Sequence, residues 1–217
     1  MTYHEPIAVL AGTPVDTQMG VDLLIAAEVN ALGFPLSSDP RQQNLFQISS
    51  AEEKHAAVLE VLKHAMQQGC SRALIYCNSL SSAVDFTALA KETGMRIVTP
   101  LHVYRNLPQR YHRLGIVAAN APGLSGIEQT LYLQDPSLEL LSVSLLPLVL
   151  SIETAASPEE LVQQFHLAEL ADWFQACGME AMILGCTHFP YVKQALQKRI
   201  TLPLIDPAEE MIRMLTE

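Results

Sequence analysis

Short apolar runs alternate with longer amphipathic ones along this chain, and the alternation predicts its elements. Residues 7–11 (Ile-Ala-Val-Leu-Ala) read as a buried strand that runs into a polar loop, Gly12-Thr13-Pro14-Val15-Asp16-Thr17. A helix is expected over about 16–32, stopped by Gly33. Residues 34–49 are rich in Pro, Ser, Asn and Gln and predict at most one short strand, at 45–48. Ser50 and Glu53 form a capping-box pattern, and the helix behind it carries Val58, Leu59, Leu62, Ala65 and Met66 on one face up to Gly69. Residues 72–76 predict a strand that ends on Cys77-Asn78-Ser79, followed by a helix to about Thr93 and a stop at Gly94. A strand at 96–98 then meets Thr99-Pro100, an N-cap and N1 proline for another helix.

The second half repeats this plan. Strands are expected at 114–119, 138–145, 181–184 and 203–205, and Asn120-Ala121-Pro122-Gly123 reads as the polar loop after the first of them. Ser157-Pro158-Glu159-Glu160 opens a helix through Phe174 that Gly178 stops. An apolar strand then runs into Gly185-Cys186-Thr187-His188-Phe189-Pro190, with a helix-like segment to Arg199. Asp206-Pro207-Ala208-Glu209 caps a terminal helix.

Cys77 and Cys186 are 109 residues apart, as are the helix-stopping Gly69 and Gly178. Val9/Val117, Ala11/Ala119 and Pro14/Pro122 match at an offset of 108, and 97–100 lies over 204–207 at 107. Order kept at near-constant offset, with a cysteine at the same strand end, predicts two similar parallel-sheet α/β domains. The expected boundaries are 1–98 plus 206–217 for the first and 99–205 for the second. The two are read as related by pseudo-two-fold symmetry, with the active site in the cleft between them and one thiol from each.

Composition narrows the setting. The 217 residues are 49% hydrophobic and 17% charged, enough for a globular core. A net charge of −10 with no run of Lys or Arg argues against nucleic acid and anionic membrane surfaces as partners. The longest apolar run, about 140–152, is interrupted by serines and Pro147, so no membrane span is expected. Met1-Thr2-Tyr3-His4-Glu5-Pro6 lacks the basic and apolar regions of a leader. Four cysteines without an export signal or a Cys-x-x-Cys pair suggest free thiols, a cytoplasmic location and no metal site.

Cysteines at strand ends before helices are candidates for thiolates, because a helix N-terminus lowers a thiol's pKa. Cys77 and Cys186 are both expected there. Two thiols on opposite walls suit acid–base work: one removes a proton from a tetrahedral carbon and the other delivers one to the opposite face. Exchanging the roles reverses the reaction, which suits interconversion of mirror-image substrates. Asn78, Ser79 and Thr187, with backbone amides, are placed to hold a carboxylate, and His188 to tune or assist Cys186.

Cys77-Asn78-Ser79 and Leu184-Gly185-Cys186-Thr187-His188-Phe189-Pro190 resemble the paired motifs of the aspartate/glutamate racemase superfamily. Histidine after the second motif, and the segment 204–209, are closest to glutamate racemases. The resemblance implies a racemase for glutamate or aspartate that uses no pyridoxal phosphate, metal or other cofactor. Cys77 and Cys186 would be its two bases, His188 an assistant, and Asn78, Ser79 and Thr187 its substrate contacts; a homodimer is implied as well. Glutamate racemases carry Asp-Ser after the first strand, where this chain has Ala11-Gly12-Thr13. Thr13, Asp16 and Thr17 are the candidates to replace those groups, and Asp16 also reads as a helix N-cap. A decarboxylase or cis–trans isomerase of a small dicarboxylate, and a silent ligand-binding relative, are the competing readings. Cys70 and Cys177 read as structural thiols, and His55, His64, His102, His112 and His166 as surface or satisfied groups. Trp173 reads as core or a subunit contact.

Overall fold

The computed structural model describes residues 5–38, 40–154 and 156–217. Met1 to His4, which carry most of the leader reading, lie outside the described residues, as does Asp39 within the 34–49 stretch. The chain divides into two compact units, Met1–Val103 with Ala208–Glu217, and Tyr104–Pro207.

In the first unit β1 (Ile7–Ala11), α1 (Pro14–Ala26) and β2 (Ala31–Pro35) are followed by α2 (Pro40–Ile48), α3 (Ala51–Gln67) and β3 (Arg72–Ile75). Then come α4 (Asn78–Ala83), α5 (Phe86–Thr93), β4 (Arg96–Val98) and α6 (Pro100–Tyr104), which runs into the second unit. The second unit carries β5 (Arg113–Ala118), α7 (Ala121–Tyr132), β6 (Glu139–Ser144) and α8 (Leu146–Glu153). It continues with α9 (Pro158–Gln164), α10 (Leu167–Ala176), β7 (Ala181–Gly185), α11 (Pro190–Gln197) and β8 (Leu204–Ile205). Helix α12 (Ala208–Thr216) returns to the first unit, where Met211 and Leu215 join the core of Ile7, Leu10, Leu24, Leu62 and Ile75.

Both sheets are parallel and four-stranded, in the orders β2-β1-β3-β4 and β6-β5-β7-β8. The repeat is therefore topological: each unit places its first strand beside its third. In such a sheet, connections leave the first and third strands toward opposite faces, opening a crevice at their carboxyl ends where ligands bind. Gly12 and Thr13 follow β1, Cys77 follows β3, Asn120 follows β5 and Cys186 follows β7. The two helix-stopping glycines share a conformation, with φ of 85° at both Gly69 and Gly178.

Several element boundaries depart from expectation, each for a local reason. Helix α1 ends at Ala26, because Glu28 adopts a left-handed φ of 58° and Val29 N–H bonds back to Leu24 C=O at 2.9 Å. Gly33 lies inside β2 instead of stopping a helix: a Cβ there would sit 2.9 Å from Thr17 Cγ2. Residues 40–48 are helical, not a strand, with Pro40 opening the first turn. The helix after Cys77 divides at Asp85, whose carboxylate accepts from Thr87 N–H and Ala88 N–H and starts α5 anew. The helix after Ser157 divides at His166, with φ of 50°. Asn120 to Gly123 is a helix start, Asn120 Oδ1 accepting from Gly123 N–H at 3.0 Å. Pro147 opens α8, splitting the long apolar run into a strand and a helix. Trp173 is 50% exposed and not part of the core; its neighbour Phe174 is fully buried.

Phe174 sets a tight contact with β5. A Cβ at Gly115 would meet the ring, 2.7 Å from Cε2, and a buried ring has little room to yield. Gly115→Ala is expected to lower stability by about 1–3 kcal/mol, measured as a shift in urea midpoint at unchanged m-value. An unchanged midpoint would show that the sheet and α10 separate more easily than this packing implies.

Candidate active site

Each unit carries one cluster of chemically active side chains at the carboxyl ends of its central strands. In the first unit Thr13, Asp16 and Thr17 are buried just after β1. Asp16 is the third residue of α1 and not its N-cap: Thr13 holds that position, and the two form a capping box. The Asp16 carboxylate accepts from Gly12 N–H at 3.1 Å, Thr13 N–H at 2.6 Å and the Thr13 hydroxyl at 2.8 Å. Thr17 donates to Thr13 C=O at 2.7 Å. Three donors fix the carboxylate, and its charge acts on the neighbouring Cys77.

Cys77 is the N-cap residue of α4, with Asn78 and Ser79 in the first turn. Its Sγ lies 3.4 Å from Ser79 Oγ, and Ser79 Oγ accepts from Gln47 Nε2 at 3.2 Å. The expected lowering of its pKa is not what the surroundings produce. Burial, and then the Asp16 charge, push the thiol up to about 11, against hydrogen bonds from the Ser79 side chain and the backbone of Leu80 and Ser79. At neutral pH Cys77 is therefore a thiol. Asn78 is buried beside it.

The second cluster is built differently. Cys186 follows β7, but a turn through Phe189 separates it from α11, with Phe189 N–H bonding to Cys186 C=O at 3.0 Å. The side chain beside it is an imidazole, and no helix starts at this thiol. Cys186 Sγ lies 3.6 Å from His188 Nδ1, and His188 Nε2 lies 3.2 Å from Glu153 Oε1. The tautomer that satisfies both contacts carries its proton on Nε2, toward the carboxylate, and leaves Nδ1 as an acceptor for the Cys186 S–H. Thr187 and His188 are buried.

All the predicted site residues therefore fall into two groups: Thr13, Asp16, Cys77, Asn78 and Ser79 in the first unit, and Cys186, Thr187 and His188 in the second. Two residues at these clusters were not foreseen. Glu153 closes α8 four residues after Val149, on the face where Leu148, Val149 and Ile152 are buried. A carboxylate on the core face of an apolar helix is a readable signal, since such a group needs a partner. Gln47 carries no comparable signal. Among the described residues, no group of three His, Cys, Asp or Glu is placed to hold a metal ion. Three of the other histidines are satisfied groups: His55 pairs with Glu92 at 3.0 Å, His166 with Glu169 at 3.4 Å, and His102 Nδ1 accepts from Thr99 N–H at 3.1 Å.

Comparison with known proteins gives the clusters a context. Glutamate racemase of Limosilactobacillus reuteri is 26% identical over 171 residues, covering 76% of this chain. The chain spans 63% of that relative's length. The structure of glutamate racemase from Francisella tularensis in complex with D-glutamate aligns over 97% of this chain and 79% of its own, at a TM-score of 0.71 and 18% identity. Allantoin racemase from Klebsiella pneumoniae aligns over 97% and 86% of the two chains, at a TM-score of 0.67 and 16% identity. At those identities the two structures establish a common fold. The family model for Asp/Glu/Hydantoin racemase matches residues 35–215, and this chain belongs to that family.

Proposed function

We propose that the protein is a cofactor-independent glutamate racemase that moves protons with Cys77 and Cys186. The observation that carries the reading is the pair of strand-end thiols in a chain of the racemase family, each with its own acid–base surroundings. Cys186, beside the His188 imidazole, takes the α-proton of one enantiomer. Cys77, held as a thiol, donates to the opposite face of the planar carbanion and so gives the mirror image. In the reverse direction Cys77 is the base and Cys186 the acid. Each step passes one proton and leaves the substrate's other bonds intact, so no oxidant or reductant is consumed. Asn78, Ser79 and Thr187 hold substrate polar groups, as do Thr13 and Asp16. Aspartate is the second substrate to try, and the relatives' names favour glutamate. The proposed assembly is a homodimer and the proposed setting the cytoplasm.

Incubation with D- and L-glutamate in deuterated water, followed by proton NMR, tests the reading. Both enantiomers should lose their α-proton signal as each is converted to the other. Tight binding of glutamate without exchange would instead identify a silent ligand-binding relative.

Glu153 acts through His188 and is a positioning residue. Glu153→Gln keeps the shape and removes the charge that holds the imidazole, and should lower kcat about 10- to 100-fold. It should also move the pH dependence of Cys186 alkylation. An unchanged alkylation profile would reduce Glu153 to a structural contact.

A further inference from the structure

We propose that Gln47 is a positioning residue that turns the Ser79 hydroxyl proton onto Cys77. Its catalytic meaning rests on Cys77 being one of the two bases, while the hydrogen-bond chain itself does not. The chain runs Gln47 Nε2 to Ser79 Oγ at 3.2 Å and Ser79 Oγ to Cys77 Sγ at 3.4 Å. A hydroxyl has one hydrogen to donate and two lone pairs to accept with, and an amide nitrogen can only donate. With Gln47 donating, Ser79 Oγ is the acceptor in that contact, and its own hydrogen is free to point at Cys77 Sγ. The second contact, which either atom could make by distance alone, takes a direction once Cys77 loses its proton: serine donates and the thiolate sulfur accepts. A thiolate is the better acceptor, so the arrangement favours Cys77 in the state where it serves as a base.

Gln47 is placed to do this by its neighbours in sequence. It is the penultimate residue of α2, next to Phe46, which packs on the core of the first unit. Ser49 Oγ donates to Phe46 C=O at 2.8 Å, Lys54 Nζ lies 3.4 Å from Gln47 C=O, and the Ser50–Glu53 capping box opens α3 immediately afterwards. The α2–α3 junction is thus tied on both sides of Gln47, and its side chain reaches across 32 residues of sequence to Ser79. Donors in series polarise one another, so the distal amide strengthens the serine's bond to sulfur. The influence opposes burial and the Asp16 charge, the two effects that hold Cys77 as a thiol.

The test is the rate of Cys77 alkylation by iodoacetamide at pH 9, read by mass spectrometry on the folded full chain. Gln47→Leu, which cannot donate, should slow alkylation of Cys77 about 3- to 10-fold and leave Cys186 unaffected. Gln47→Glu replaces the donor with an acceptor that draws the serine hydrogen away, and should slow it at least as much. In a Ser79→Ala background Gln47→Leu should add nothing, because the route runs through the hydroxyl. In turnover, Gln47→Leu should lower kcat/KM by the same factor for both enantiomers, because their interconversion has an equilibrium constant of one. Unchanged alkylation in both Gln47 variants, or an equal effect of Gln47→Leu with and without the serine hydroxyl, would overturn the proposal. Far-UV circular dichroism separates these results from a folding defect, since a loosened chain would expose Cys77 and speed its alkylation. Alkylation needs no substrate, so loss of the Gln47 effect and absence of racemisation are read independently.

Discussion

Cys77→Ala and Cys186→Ala are each expected to abolish racemisation, with kcat falling about 10³-fold or more. The more informative result is what each variant keeps. A chain with Cys186 alone can still take the α-proton of the enantiomer that faces it, and return a deuteron from the same side. It should wash deuterium slowly into that one enantiomer without inverting it. The chain with Cys77 alone should do the same to the other enantiomer, and more slowly at neutral pH, because burial and Asp16 keep that thiol protonated. Complementary washout, read by NMR on each pure enantiomer, assigns a face to each thiol. Full racemisation by either variant, or washout of the same enantiomer by both, would refute the two-base assignment.

The second large effect is on stability in alkali. Cys77 has its pKa raised from 9.0 to about 11 in the folded chain, so the folded state holds this proton more tightly than the unfolded one. The stabilisation is complete below about pH 9, where both states are protonated, and is lost as pH rises through about 11. The gap corresponds to about 2–3 kcal/mol for a single buried group. Urea unfolding of wild type and Cys77→Ser at intervals from pH 8 to 11 isolates it. Lysines and tyrosines titrate in both proteins, but the wild type should lose about 2–3 kcal/mol more than the serine variant. Parallel curves would show that water reaches the thiol more freely than its burial implies.

How much of this was legible in the sequence depends on which strand or side chain is asked about. The central strands β1, β3, β5 and β7 are buried on both faces and read as continuous apolar runs, so they and the thiols at their ends were predictable. The edge strand β2 was not, because Gly33 and Pro35 break the pattern and much of the strand is exposed. Helix stops written in glycine, at Gly69, Gly94 and Gly178, were placed correctly, whereas the left-handed turns at Glu28 and His166 use residues that give no such sign. Cys77 and Cys186 could be paired by their offset, but the offset says nothing about their protonation. That depends on burial and on Asp16 for one, and on a histidine backed by Glu153, far away in sequence, for the other. The Glu153 carboxylate stands out on its apolar helix, but its pairing with His188, like that of Gln47 with Ser79, is set by packing, which a linear pattern does not record.

The unlike partners of the two thiols have a thermodynamic corollary. Mirror-image substrates have equal free energies in water, so their interconversion has an equilibrium constant of one. The Haldane relation then requires a racemase to have the same kcat/KM in both directions, however differently its two bases are equipped. In the racemisation proposed for this chain, the contrast between a thiol buried beside Asp16 and one beside His188 cannot favour either product. It can appear only as a matched split, one enantiomer bound more tightly and turned over more slowly, the other bound more weakly and turned over faster.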